Sequence, residues 1–299
     1  MMSDQFIENS KLKKTVNVGI IYASEITKNI FWDLANTINY TLQELGFNAS
    51  INFNTIYTEE NITNIILGAH LIYEPDIPIL NENSIIVNTE QLASLQFRPE
   101  PHYKMWFHKT LYLASKCQVW DYSKKNIELF NQFGLTHPQY LKLGYSPILN
   151  RIPSDHVRDI DVLFYGSMTE RREHIIHQLS NRGVNVVALK DVFGEELDRY
   201  ISRSKIVLNV HFFDSQIFEI VRCFYLMNNG VAIVSEVNKT TEIESDYLDG
   251  IAGVPYEQLV DKCCELLSYP DELEKLRQKA LATIQQFPQT EIIKKLIVN

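Results

Sequence analysis

Between residues 161 and 236 the chain places arginines, carboxylates and a histidine at the ends of short apolar runs. The run Asp161-Val-Leu-Phe-Tyr165 stops at Gly166 and Ser167, and Arg171 and Arg172 follow within one helical turn. A strand that passes into a helix in this way leaves backbone N–H groups free at the turn, and guanidinium groups beside them suit a diphosphate. Two adjacent arginines cannot both face one ligand, and Arg171 is the expected contact. A second run ends at His211, with Asn209 two residues earlier on the same strand face. Glu219 and Arg222 stand at i,i+3 in a mostly apolar segment of helical spacing, and Glu236 closes a third run that starts at Gly230. A carboxylate so placed can accept both ribose hydroxyls, and an arginine can neutralise a departing diphosphate. Asp214 and Glu236, at strand-to-helix loops, are further candidates for the sugar. Each residue also has a plain structural reading: a tight turn at Gly166, a surface ion pair for Glu219 and Arg222, a core histidine at His211.

The elements that must position these groups alternate. Val16 to Ala23 reads as a strand, Ile30 to Leu45 as a helix stopped by Gly46, and Ala49 to Phe53 as a strand. Ile62 to Leu67 reads as a short helix, Leu71 to Tyr73 and Ser84 to Asn88 as strands, and Tyr103 to Ser115 as a helix. Gln118 to Asp121, Lys124 to Phe133 and Tyr140 to Leu143 continue the pattern. The segment Gly144 to Asp155, with two prolines and turn formers, reads as an inter-domain connection. Beyond it come strands at 161–165, 185–189, 206–210 and 231–235, helices at 172–182, 195–202 and 217–227, and a helical region from Tyr256 onward. Such alternation predicts parallel, doubly wound sheets, because parallel strands need helical crossovers. The expected units are residues 1–148, residues 149–285 and a C-terminal helix within residues 286–299.

The runs Phe164-Tyr-Gly-Ser167, Glu170-Arg-Arg172, Ser204 to His211, Phe218 to Arg222 and Gly230 to Glu236 resemble the donor-binding half of GT-B-fold glycosyltransferases. More narrowly, they are similar to the group-1-like branch labelled CgeB-like or spore-maturation proteins, over about Val119 to Ala280. The resemblance implies two Rossmann-like domains whose parallel sheets face a central cleft, with the first domain on the acceptor side. It implies binding of a nucleotide sugar through Gly166, Ser167, Arg171, His211, Glu219, Arg222 and Glu236, with Arg171, Arg222 and His211 as candidates for catalysis. It also implies that the last helix, near Thr290 to Val298, folds back on the first domain. Many retaining members carry Glu-x7-Glu with the second Glu on the ribose; here His211 stands eight residues before Glu219, so the pattern departs there. The acceptor, whether glycan, lipid or other hydroxyl compound, and a catalytic base are not marked. A non-catalytic nucleotide-sugar-binding or scaffold protein of the same fold is the alternative, and an epimerase of that fold would need acid–base residues that the sequence does not mark.

Composition bounds the rest. With 299 residues, 45% hydrophobic and 22% charged, the chain has room for two cores. A net charge of −9 and a pI near 5.4 disfavour nucleic acid as a partner. No apolar stretch reaches the roughly 20 residues of a spanning helix, and a cytoplasmic location is expected. Cys117, Cys223, Cys263 and Cys264 have no metal-ligand spacing and read as reduced thiols. Asp159-Ile-Asp161 spells the Asp-x-Asp of metal-dependent transferases but immediately precedes or enters a strand after the linker, so it reads as incidental and no metal or other cofactor is expected. No Gly-x-Gly-x-x-Gly and no P-loop occurs.

Overall fold

Every strand pairing within the two sheets is parallel, so each chain reversal is made by a helix or a long loop rather than by a hairpin. The computed structural model describes residues 14–80, 82–153, 157–213 and 216–298. The first six strands are β1 (Thr15–Ile20), β2 (Asn48–Phe53), β3 (Ile62–Leu67), β4 (Ile85–Asn88), β5 (Gln118–Asp121) and β6 (Gln139–Tyr140). They form one sheet in the order β2-β1-β3-β4-β5-β6, interleaved with α1 (Glu25–Glu44), α2 (Leu92–Leu95), α3 (Pro101–Ala114) and α4 (Lys124–Gln132). The second sheet, in the order β11-β10-β9-β7-β8, comprises β7 (Ile160–Tyr165), β8 (Val186–Leu189), β9 (Ser204–Asn209), β10 (Ile233–Glu236) and β11 (Ala252–Val254). Its helices are α5 (Glu170–Asn181), α6 (Gly194–Ser202), α7 (Ile220–Asn228), α8 (Ser245–Leu248), α9 (Leu259–Ser268) and α10 (Pro270–Gln285), and α11 (Gln289–Val298) ends the chain.

Helix α1 shows how sequence dictates the layers. Ser24 and Thr27 close a reciprocal capping box at its start. Phe31, Leu34, Ala35, Ile38 and Leu42 then repeat at helical spacing and are all buried against the first sheet. Helix α11 packs on α1, and the chain leading into it is tied to the crossing segment. The Tyr145 N–H donates to the Phe287 carbonyl and the Gln289 N–H to the Tyr145 carbonyl, each at 2.8 Å. Gly144 is required there, because a Cβ would sit 1.9 Å from the Phe287 oxygen.

Three expectations need correction. Residues 62–67 are a strand, not a helix: the run is short, rich in isoleucine and fully registered against β1, which overrides an ambiguous periodicity. Residues 71–73 are not a strand; Ala69–Leu71 is a 3-10 turn opened by Gly68 at φ 72°. Helix α7 begins at Ile220 rather than 217, because Ile217 bridges Glu242 in parallel and the Phe218 N–H donates to the Glu242 carbonyl, holding that segment extended.

The two halves meet beyond the carboxyl ends of their strands. Gln91, after β4, donates to the Ile217 carbonyl at 3.4 Å. The Ser123 hydroxyl, after β5, donates to Glu242 at 2.6 Å, and the Lys124 N–H donates to the same carboxylate. On another side, Arg151 pairs with Asp33 of α1 at 2.8 Å and with Asp198 of α6 at 2.9 Å. Among the described residues no helix is long and apolar enough to cross a membrane.

Candidate functional site

Strand β7 delivers Tyr165 to a turn at Gly166, where φ is +128°, a region that only glycine enters without strain. A Cβ at Gly166 would come 2.8 Å from Nη2 of Arg222, so the bare backbone makes room for that guanidinium. Arg222 lies over the Tyr165 ring at 5.1 Å and donates to Oδ1 of Asn209 at 2.8 Å. The Gly166 N–H is spent on the Leu189 carbonyl at 3.0 Å, whereas the N–H groups of Ser167 and Met168 have no partner among the described residues. Helix α5 starts just beyond, capped by the Thr169 hydroxyl.

Four groups converge on Glu219. Its Oε2 accepts from Asn209 Nδ2 at 3.0 Å and faces His211 Nδ1 at 3.1 Å, while Oε1 accepts from the Phe212 N–H at 3.2 Å and lies 3.6 Å from Arg172. Burial alone would raise this carboxyl, but His211, Arg222 and Arg172 hold it down at about 2. The ion pair with Arg222 expected from i,i+3 spacing does not form. Glu219 precedes the first helical turn with ψ 60°, so helical neighbour geometry does not apply to it.

The adjacent arginines separate as one outer and one inner group. Arg172 is 2% exposed and donates to the Val210 and Ser167 carbonyls, which pins the ends of β9 and β7 together. Arg171 lies over the Tyr256 ring at 4.2 Å and forms a bidentate pair with Glu236 at 2.7 and 3.0 Å. Glu236 is fully buried and also accepts from the His211 N–H at 3.0 Å and from Asn238 Nδ2 at 2.7 Å. Gly166, Arg171, His211, Glu219, Arg222 and Glu236 therefore gather at one end of the second sheet. Ser167 contributes its backbone to the same end with its side chain exposed. Asp214 lies outside the described residues.

The first domain contributes groups that sequence spacing did not mark. Glu90, just after β4, has Oε1 3.8 Å from Nε2 of His70, and burial pushes its carboxyl up to about 7. His70 is pushed down to about 4 by burial and the Lys109 charge, and its ring lies 4.6 Å from that of Trp106. Nearby Tyr122 is held protonated well above the ordinary phenol range by burial and by the carboxylates of Asp121, Glu90, Glu219 and Glu242, which act on it from both domains. Tyr256 and Asn209 are likewise additions, and only Asn209 had a sequence signal, its shared face with His211.

Asp159 and Asp161 lie at the other end of β7, roughly 20 Å from the Gly166 turn at the usual strand rise. Asp159 pairs with Arg203; Asp161 pairs with Lys205 at 2.6 Å and accepts the Asn185 N–H at 2.9 Å. The four cysteines are free thiols.

No family model matches the chain. Two uncharacterized proteins of Acanthamoeba polyphaga mimivirus are similar to it. L140 is 30% identical over 201 residues, covering 64% of this chain and 62% of its own length. R358 is 36% identical over 167 residues, covering 54% of this chain and 56% of its own. The chain thus matches little more than half the length of these relatives. Among solved structures, Anabaena HepE in complex with UDP and glucose aligns over 94% of this chain and 98% of its own, with a TM-score of 0.58 at 10% identity. TarM aligns over 92% of this chain and 58% of its own, with a TM-score of 0.56 at 14% identity. The fold is GT-B. Its two Rossmann-like halves account for the facing strand ends described above.

Proposed function

We propose that the chain is a glycosyltransferase that moves a sugar from a nucleotide-activated donor to a hydroxyl acceptor. The supporting observation is the convergence of Asn209, His211 and Arg172 on the ionised Glu219 beside the Gly166–Arg222 turn, at the carboxyl ends of parallel strands. In this reading Glu219 accepts the ribose hydroxyls, and Arg222 with the Ser167 and Met168 N–H groups receives the diphosphate. Arg171 swings from Glu236 to the same ligand. Charge on the leaving diphosphate is met by guanidinium groups, so no divalent ion is required; Asp159 and Asp161 are engaged elsewhere.

Glu90, whose carboxyl and that of Glu219 both act on the Tyr122 phenol from opposite domains, is the candidate proton acceptor. The acceptor hydroxyl gives its proton to the Glu90 carboxylate, its oxygen bonds to the anomeric carbon, and the bond from that carbon to the diphosphate breaks. Residues 1–148 form the acceptor side, residues 149–285 the donor side, and the helix within 286–299 belongs with the first.

Titration calorimetry with UDP, GDP and UDP-glucose, with and without EDTA, tests the reading. Saturable binding of one nucleotide that survives the chelator is expected. Absence of binding by every nucleotide removes the donor site; binding abolished by EDTA and restored by manganese returns Asp159 and Asp161 to consideration. A non-catalytic binding protein is the second reading, favoured by the internal compensation of Arg171 by Glu236; it predicts nucleotide binding with no sugar release from any donor.

A further inference from the structure

The carboxyl ends of β1, β2 and β3 open onto a depression of ≈ 420 Å3 whose polar and aromatic lining includes Tyr22, Asn54, Thr55, Tyr73 and Asp76. That volume suits one or two sugar rings. Beside it Trp32 and Phe53 lie nearly parallel, with ring centroids 6.2 Å apart and planes at 17°, and Tyr22 meets Phe53 edge-on at 6.2 Å. Trp32 is 38% exposed, Phe53 39% and Tyr73 71%. Rings this large, grouped and left in water mark a contact surface rather than a core.

The polar groups decide what fits. Asn54 adopts a left-handed backbone, φ +48°, and its Oδ1 accepts the Tyr22 N–H at 2.9 Å. Its Nδ2, the Asp76 carboxylate and the Tyr73 hydroxyl have no hydrogen-bond partner among the described residues. Flat aromatic faces match the C–H face of a pyranose, while an amide and a carboxylate match the hydroxyls at its edge. An alkyl chain would cover the Asp76 carboxylate without a partner. An anionic acceptor would meet that carboxylate: no lysine or arginine lines the depression, and Lys28, which lies over the Phe53 ring at 4.9 Å on the rim, is already paired with Glu25 at 3.0 Å.

We propose that this depression and its aromatic rim bind the neutral sugar rings of a glycan acceptor. The proposal rests on the glycosyl-transfer reading and narrows its acceptor to a carbohydrate. Leu71 and Ile72 line the depression and directly follow His70, whose ring faces Glu90. A glycan seated here would thus present one hydroxyl toward Glu90 while its remaining rings run outward over Tyr22, Phe53 and Trp32.

The test is tryptophan fluorescence and saturation-transfer NMR on the full chain with maltotriose, cellotriose and chitotriose, alongside UDP calorimetry on the same samples. The expected result is saturable binding of at least one trisaccharide, weakened at least tenfold by Trp32→Ala and by Tyr73→Ala, with UDP affinity unchanged. Tyr73 is so exposed that its replacement leaves folding intact, which keeps the test valid should Trp32→Ala be unstable. Binding of none of the three sugars by protein that does bind UDP overturns the proposal and spares the donor reading. Sugar binding that persists in both variants also overturns it. Sugar binding without UDP binding leaves this site standing and removes the donor site.

Discussion

Glu219 and Glu90 are both enclosed carboxyls, yet their surroundings drive them in opposite directions. Glu219, held at about 2 by its cationic neighbours, contributes stability above the ordinary carboxylate range that is lost as pH falls through about 2. Glu219→Gln should therefore flatten the acid limb of a denaturation-versus-pH curve. It should also weaken nucleotide binding by about 1.5–3 kcal/mol in calorimetry, the worth of a charged hydrogen bond. Glu90, raised to about 7 by burial, contributes stability that is full below the ordinary range and lost as pH rises through about 7. Glu90→Gln should accordingly be more stable than the parent at pH 8, by up to about 3 kcal/mol in urea unfolding. Its turnover should drop roughly 10²–10⁴-fold with nucleotide affinity unchanged. A purely structural Glu90 would gain the stability and keep the activity. Arg222→Ala should lower turnover more than donor binding, because the diphosphate charge develops in the transition state.

Among elements, the β7–α5 turn carries the most specific demand. Gly166→Ala places a methyl at φ +128° against Arg222 and should cost about 1–2 kcal/mol of stability. Displacement of Arg222 should also reduce UDP affinity about tenfold, measurable by calorimetry. That turn was legible in the sequence because a strand-length apolar run, a glycine and clustered arginines are local signals. Strand β3 was not: six residues are too few for periodicity to separate strand from helix, and its assignment comes from pairing with β1, which sequence does not display. The start of α7 was hidden likewise, since the bridge from Ile217 to Glu242 joins residues distant in the chain. His70 and Glu90 belong to different loops and share no spacing, so only the folded sheet brings them together.

At the scale of the whole molecule, the alternation of strands and helices made the two-sheet architecture readable, whereas the contacts between the halves were not. Glu242 is the clearest of these contacts. It sits in the second half and takes hydrogen bonds from Ser123 and Lys124 at the start of α4 in the first. Glu242→Ala should split one calorimetric melting transition into two, as the halves lose their mutual support. The loop that carries Glu242 also supplies Thr241, 3.1 Å from Nε2 of His211, and Asn238, which holds Glu236. The fastening between the halves and the proposed nucleotide pocket therefore share one stretch of backbone, and if donor binding strengthens the docking of the halves, docking strengthens donor binding by the same factor. A donor that orders His211 and Glu236 would latch the halves together, and release of the spent nucleotide would loosen the latch. Opening and closing would then keep time with the chemistry.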